Sequence, residues 1–163
     1  MNIHYTRPDI NDLKELMHIE NLGFRPDEAA TEKSMRERIK NIPDTFIVAR
    51  DEQDKIIGYV VGPVINHRYL TDDLFENAHP NPTSEGYQSI LSLVVHPDYR
   101  GQGIATHLLE RLEEACKKSQ RSAITLTCLD DLIPFYEANG FVNEGKSVST
   151  HAGETWFNLV KEL

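Results

Sequence analysis

The chain has 163 residues, 39% of them hydrophobic, with 26 Asp and Glu against 17 Lys and Arg for a formal net charge of −9. That length and apolar content suit one domain, expected over residues 1–163, and the acidic balance excludes nucleic acid as an expected partner, because a phosphate backbone selects Lys/Arg surfaces. The longest apolar runs are only a few residues and no apolar leader segment is seen, so a membrane partner is not expected and a soluble, cytoplasmic protein is.

In chain order, Ile3 to Thr6 reads as a strand, and Pro8-Asp9 opens a helix with Leu13, Leu16, Met17 and Ile19 as its apolar stripe and Gly23 at its end. A second helix is predicted over Thr31 to Lys40. Thr45 to Arg50 and Lys55 to Ile65 read as strands joined by a polar turn, a hairpin. Asn66 to Gly86, rich in Asp, Asn, Pro and Ser, is a long loop with a helical turn near Leu70 to Asn77. Loops of that length are often functional. Its Asp72, Asp73, Glu76 and Glu85 form an acidic cluster that attracts cations such as amines, or serves only as a solvated face. Tyr87 to Val95 is the central strand. Ile104 to Ser119 is a helix with Leu108, Leu109, Leu112, Ala115 and Cys116 turned inward, followed by a strand at Ala123 to Cys128. A last helix and two strands, Phe141 to Ser147 and Glu154 to Val160, complete a mixed α/β sheet.

The most informative run is Leu93-Val94-Val95-His96-Pro97-Asp98-Tyr99-Arg100-Gly101-Gln102-Gly103-Ile104-Ala105-Thr106, which joins an apolar strand to a long helix through a glycine-rich turn. The first turn of a helix leaves N–H groups without intrahelical partners and carries partial positive charge, so it makes an anion site. Gly101 and Gly103 permit positive φ and close approach of backbone to a pyrophosphate, and small Ala105 and Thr106 leave the entrance open. The Walker pattern is excluded because no Gly-Lys-Ser/Thr follows, and the dinucleotide fingerprint because Thr106 stands where a third glycine belongs. His96, confined to an extended conformation before Pro97, reads as structural.

A second block runs from Leu126 through Thr127-Cys128-Leu129-Asp130-Asp131-Leu132-Ile133-Pro134-Phe135-Tyr136 to Glu137-Ala138-Asn139-Gly140-Phe141. Asp130 or Asp131 is placed as a helix N-cap, Gly140 as the left-handed residue at the helix end, and Phe141 as the first core residue beyond. Tyr136 packs or acts: a phenol beside a sulfur leaving group can donate the proton a departing thiolate needs. With an ordinary pKa near ~10 it stays protonated at neutral pH. The two cysteines, Cys116 and Cys128, lack metal-ligand or redox spacing and read as buried small hydrophobes without a disulfide. The seven histidines, at positions 4, 18, 67, 79, 96, 107 and 151, show no short ligand spacing, so no metal is expected. His67, in the long loop, is the histidine placed to contact a substrate.

Both blocks resemble the GNAT superfamily of N-acetyltransferases. Arg100, Gly103 and Ala105 match its Arg/Gln-x-x-Gly-x-Gly/Ala acetyl-coenzyme A loop, and Phe135-Tyr136 with Gly140-Phe141 matches its other signature. The resemblance implies a single-domain α/β (α+β) fold, with a mixed, mostly antiparallel sheet of about seven strands, a splayed central pair and about four helices. Within the superfamily the chain is most similar to the arylalkylamine (serotonin-type) N-acetyltransferases. The similarity lies in the Gly62 to Asn66 lead into the acidic Leu70 to Asn77 loop, in Leu93-Val94-Val95-His96 followed by Tyr99-Arg100, and in Cys128 to Tyr136. The histidine pair those enzymes carry on the central strand falls on Ser89 and Leu91.

The resemblance implies direct attack of a small-molecule primary amine on acetyl-CoA, without metal. Leu93 and Val94 would hold the pantetheine, and a backbone N–H near Val95 would polarise the thioester carbonyl. Arg100, Gly101, Gln102, Gly103, Ile104, Ala105 and Thr106 would take the pyrophosphate, with Tyr136 as general acid. The base is left among Glu28, Glu85 and Glu20 or a water chain ending at a carboxylate. Lys117, Lys118 or Arg121 would meet the adenosine 3′-phosphate, or simply complement the helix dipole. The alternatives are a peptide N-terminal acetyltransferase and a non-catalytic acyl-CoA-binding regulatory domain, and a homodimer stands beside a monomer.

Overall fold

A computed structural model describes residues 2–163, so of the expected 1–163 domain only Met1 lies outside the described residues. Asp9 opens the first helical segment with a capping box, its carboxylate taking the Asn11 N–H while the Asp12 carboxylate takes its own. Those bonds satisfy donors that a helix start otherwise leaves bare. A 3-10 turn at Ile10–Asp12 then feeds α1 (Leu13–Gly23), and Thr31 caps α2 (Glu32–Asn41) through its hydroxyl.

These helices cover one face of a sheet built from β1 (His4–Thr6), β2 (Phe46–Arg50), β3 (Ile56–Val61) and β6 (Ser92–Val95), in the order β1-β2-β3-β6. Alternation along each strand divides the core. Phe46, Val48, Tyr59, Val61 and Val94 meet Leu16, Ile19 and Met35 of the two helices. Ala49, Ile57 and Val60 face the other way, onto Ile104, Leu108 and Leu112 of α3 (Ile104–Lys118). β3 is therefore buried on both faces, as its unbroken apolar sequence requires.

The second sheet has the order β4-β5-β7-β9-β8, from β4 (Val64–Ile65), β5 (Tyr87–Ile90), β7 (Ala123–Cys128), β8 (Val142–Lys146) and β9 (Phe157–Glu162). The mixed, mostly antiparallel α/β character is as expected, with β5 and β7 the one parallel pair among the described residues. The four helices also agree, with α4 at Ile133–Ala138. The strand count differs: among the described residues nine strands form two sheets, because two predicted strands each break in two.

Lys55 to Ile65 breaks at Gly62-Pro63, where proline has no N–H for a ladder. Tyr87 to Val95 breaks at Leu91, whose N–H donates to the Val61 carbonyl at 2.8 Å while Ser92 also pairs with Val61. Two residues thus oppose one, a bulge that turns the chain from the second sheet into the first. The expected cap of α4 is also corrected. Neither Asp130 nor Asp131 caps it, since a 3-10 turn at Asp130–Leu132 runs straight into the helix and Pro134 has no N–H to satisfy. Gly140 is left-handed as expected, at φ +91°, and Phe141 is buried.

The break at Leu91 is locked by Gly62, where a Cβ would collide with the Ser89 carbonyl. Its own carbonyl accepts from Thr45 Oγ1 and Gln88 Nε2, each at 2.7 Å. Gly62→Ala is expected to destabilise the protein by about 3 kcal/mol, the upper range for forcing volume into a packed interior. A urea midpoint unchanged from wild type would show that this contact yields freely.

Candidate functional site

β5 pairs with β7 in register from Tyr87 and Ala123 to Ile90 and Leu126. Past the bulge β6 pairs with β3 alone, so β6 and the end of β7 diverge. This is the expected splay. Between them opens a cavity of about 760 Å³. His96 N–H donates to Ile57 O at 2.8 Å, and pairing alternates along an antiparallel ladder. The N–H groups of Leu93 and Val95 therefore point away from β3, into the gap. An extended amide-bearing ligand can pair with them as a strand would.

At the C-terminal end of β6 the cavity is lined by Tyr99, Arg100, Gly101, Gly103 and the first turn of α3. Gly101 and Gly103 have φ of +79° and +78°, as the spacing predicted. Gly103 is the N-cap and no side chain caps the helix, so the amides of Ile104, Ala105 and Thr106 stay free for an anion. A Cβ at Gly101 would meet nothing within 4 Å, which is open room for a phosphate oxygen rather than packed protein. The loop is braced from below: Tyr99 donates to Asp51 at 3.1 Å, His96 Nδ1 accepts the Asp98 N–H at 3.1 Å, and Arg100 Nε reaches the Val95 carbonyl at 3.3 Å. Gln102 is exposed and off the cavity wall.

Tyr136 stands in the opposite wall, its ring held edge-on between Phe135 and Phe141 at 5.1 and 5.5 Å. Burial pushes its phenol well above the usual tyrosine range, with a smaller push from Cys128. Cys128, on the same wall, is driven to about 12 by burial and then by Asp131 and Asp130, so it stays a thiol.

The remaining wall comes from segments far apart in sequence. Phe75, packed near Leu91, stacks on His151 at 6.1 Å with planes 7° apart, and Trp156 lies 6.0 Å from the same imidazole. Ser149 Oγ donates to Asp72 at 2.7 Å, tying the β8–β9 loop to the long Asn66 to Gly86 loop. Further out, Arg68 and Tyr69 of that long loop both bind the Glu144 carboxylate, which holds its pKa down near about 2. Phe24 and Glu28, from the α1–α2 connection, complete this end. Beneath it Glu20 is sealed, bonded to the Tyr59 hydroxyl, the Ala30 N–H at 2.8 Å and Ser92 Oγ at 3.3 Å. Buried Arg38 joins that network and donates to the Phe75 carbonyl at 3.4 Å.

The structure thus brings together Leu93, Val94, Val95, Arg100, Gly101, Gly103, Ile104, Ala105, Thr106, Tyr136 and Glu28. It separates the others. Glu85 sits at the start of β5, its backbone held by Ser119 and Arg121, and does not line the cavity. Glu20 has no access to the cavity, being 1% exposed. His67 turns to the Tyr69 carbonyl at 2.7 Å, outside the cavity.

Lys117 and Lys118 end a helix of 15 residues, about 22 Å along its axis from the anion loop at ~1.5 Å per residue. Arg121 is buried on the Pro82 and Glu85 carbonyls, so none of these three basic residues reaches the loop. The residues that sequence reasoning missed are Phe75, Ser149, His151 and Trp156. No spacing links Phe75 to His151, and the available signal was the single tryptophan near a histidine between two strands. No group of three or more potential metal ligands is found among the described residues.

The model of the Acetyltransferase (GNAT) family matches residues 10–141. The chain is 26% identical over 127 residues to the uncharacterized N-acetyltransferase ycf52 of Pyropia yezoensis, an alignment covering 77% of this chain and 61% of that protein's length. Among solved structures, the loading GNATL domain of CurA from Lyngbya majuscula is similar at TM-score 0.86 and 17% identity, covering 99% of this chain and 98% of that one. A chain of the NatC complex bound to Gag peptide and CoA is similar at TM-score 0.78 and 22% identity, covering 100% and 99%. With a family match over most of its length and the fold shared end to end, the chain belongs to the acetyltransferase (GNAT) family.

Proposed function

We propose that the chain is an acetyl-CoA-dependent N-acetyltransferase whose acceptor is the primary amine of a small molecule with an apolar or aromatic body. The observation that carries the choice of acceptor is the latch between the two loops at the far end of the cavity. The Ser149–Asp72 hydrogen bond and the Phe75–His151 stack join them across the side where an extended peptide would have to leave. What they enclose is aromatic, with Phe24, Phe75, His151 and Trp156 on the wall, and Glu28 and Asp131 are the carboxylates that line the same cavity. Aromatic faces suit an ammonium on an apolar body.

CoA suits the rest of the cavity, and it is bound in the solved structure of the NatC complex. The free amides at Gly101 to Thr106 suit its pyrophosphate, with Arg100 beside them. The Leu93 and Val95 amides suit its pantetheine and the thioester carbonyl, where a fixed N–H stabilises the oxyanion as it forms. Acetyl-CoA brings the activated acetyl group; the chain orients it, excludes water and supplies a proton from Tyr136 to the leaving sulfur.

The test is release of free CoA thiol from acetyl-CoA across arylalkylamines, alkyl polyamines, aminoglycosides and short peptides. Turnover is expected on the arylalkylamines and not on the peptides. Turnover on peptides alone would replace this reading with the N-terminal acetyltransferase one, and tight acetyl-CoA binding without turnover would favour a regulatory domain.

A further inference from the structure

Any amine acceptor arrives largely as an ammonium and must lose a proton before its nitrogen can attack. Two carboxylates line the cavity, Glu28 and Asp131, and Asp131 is exposed to solvent on the turn that precedes α4. Glu28 is ion-paired to Arg25 at 2.9 Å, and Arg25 also binds Glu154 at 2.6 Å, so its charge is already engaged. Glu20 is sealed beneath the wall, Glu85 lies elsewhere, and the buried Ser89 hydroxyl donates to the Pro63 carbonyl at 2.6 Å. The central strand offers no base.

His151 differs from all of these. It lines the cavity, its face is fixed by Phe75 and flanked by Trp156, and its ring nitrogens take no hydrogen bond among the described residues. The backbone that carries it is fixed on both sides. Ser149 Oγ accepts the His151 N–H at 3.2 Å while holding Asp72, and the His151 carbonyl accepts Trp156 Nε1–H at 2.9 Å. The next residue, Ala152, is held at φ +55°, a left-handed conformation that costs an L-residue about 1 kcal/mol and that persists where the surroundings impose it. The ring is also exposed on its outer side, so a proton it receives has a route to water.

We propose that His151 is the catalytic base: its neutral imidazole takes the proton from the incoming ammonium, with Phe75 and Trp156 setting the plane of the ring. This rests on the small-amine reading above. The N–H bond of the ammonium breaks and a ring N–H forms. The freed lone pair then makes the C–N bond to the thioester carbon, and the oxyanion sits on one of the two free β6 amides, the other holding the pantetheine. Collapse breaks the C–S bond, and the thiolate takes the Tyr136 proton. The tyrosinate takes the second proton from the acylated nitrogen, and the imidazolium releases the first to water, so one proton is released per turnover. The charged groups on the elements around His151 are Asp72 from the long loop, Glu28 and Arg25 from the α1–α2 connection, Asp131 from the turn before α4, and Glu154 on its own loop.

The experiment compares His151→Gln with wild type on the best amine of the panel, using the full chain. The expected result is a fall of about 10²-fold in kcat/KM at neutral pH, in line with loss of a general base. The acid limb of the pH profile should vanish with it, while the acetyl-CoA dissociation constant by calorimetry stays within about twofold. His151→Ala should recover part of its rate on added imidazole. Retention of the rate within about threefold, or an acid limb unchanged in His151→Gln, would overturn the assignment while leaving the acetyltransferase reading intact. Failure of that reading looks different: wild type itself releases no thiol with any amine, and the base goes with it.

Discussion

Tyr136→Phe is expected to lower kcat by about 10²- to 10³-fold with the acetyl-CoA dissociation constant within about twofold of wild type. The phenyl ring keeps its edge contacts with Phe135 and Phe141, so the wall of the cavity and the core behind it are preserved. Only the proton is removed. Without it the sulfur must leave as a bare thiolate in a cavity lined mainly by apolar groups, where an unpaired anion is poorly solvated.

The pH dependence follows with a definite sign. Burial raises the phenol, and a raised tyrosine favours the protonated, donating form at every pH below its new value. The alkaline limb of kcat is therefore expected to stay flat to about pH 10. A decline below pH 9 that Tyr136→Phe abolishes would instead make the tyrosine an ionising group in the working range, and an unchanged kcat in the variant would remove it from the chemistry.

The second large effect is at the anion loop. Gly103→Val is expected to abolish measurable acetyl-CoA binding in a protein that still folds. Gly103 has φ +78°, which a β-branched residue resists, at a cost of about 1–2 kcal/mol. The nearest protein atom to a Cβ there is in the His107 side chain at 4.0 Å, so the fold has space for it. The side chain would stand among the free amides of the first turn of α3, where the pyrophosphate belongs. Calorimetry with acetyl-CoA, read beside circular dichroism to confirm folding, decides the matter. Retained binding would move the phosphate site elsewhere.

Much of this was legible along the chain because the determinants are local. A helix start shows itself by Asp9 or Thr31, the anion loop by two glycines between a strand and a helix, and the helix end by Gly140. The wall proposed for CoA is written in one run from Leu93 to Thr106, so it was readable as a unit. The acceptor side is assembled from the α1–α2 connection, residue 75 and residues 149–156, which no periodicity relates.

That difference explains why Tyr136 can be singled out along the chain and His151 cannot. It also explains the errors among the charged residues. Glu20 as a base and Arg121 as a phosphate ligand both need access to a ligand, yet each is buried on several partners supplied by distant segments. The strand breaks were hidden for a related reason. Ile90, Leu91 and Ser92 differ little in pattern from their neighbours, and the switch between sheets at that point depends on what Gly62 allows Ser89 to approach.

The bulge at Leu91 also means that the two sheets share one continuous chain but no ladder across the splay. Along that seam the free protein is joined by side-chain packing, while the Leu93 and Val95 amides await partners. A pantetheine arm lying between β6 and β7 would act as a missing strand and convert two half-sheets into a single hydrogen-bonded layer. Cohesion of the fold and occupancy of the site are thereby coupled: any ligand bound to the native state alone deepens its stability by mass action, and here the ligand would do so as a structural member of the sheet it enters.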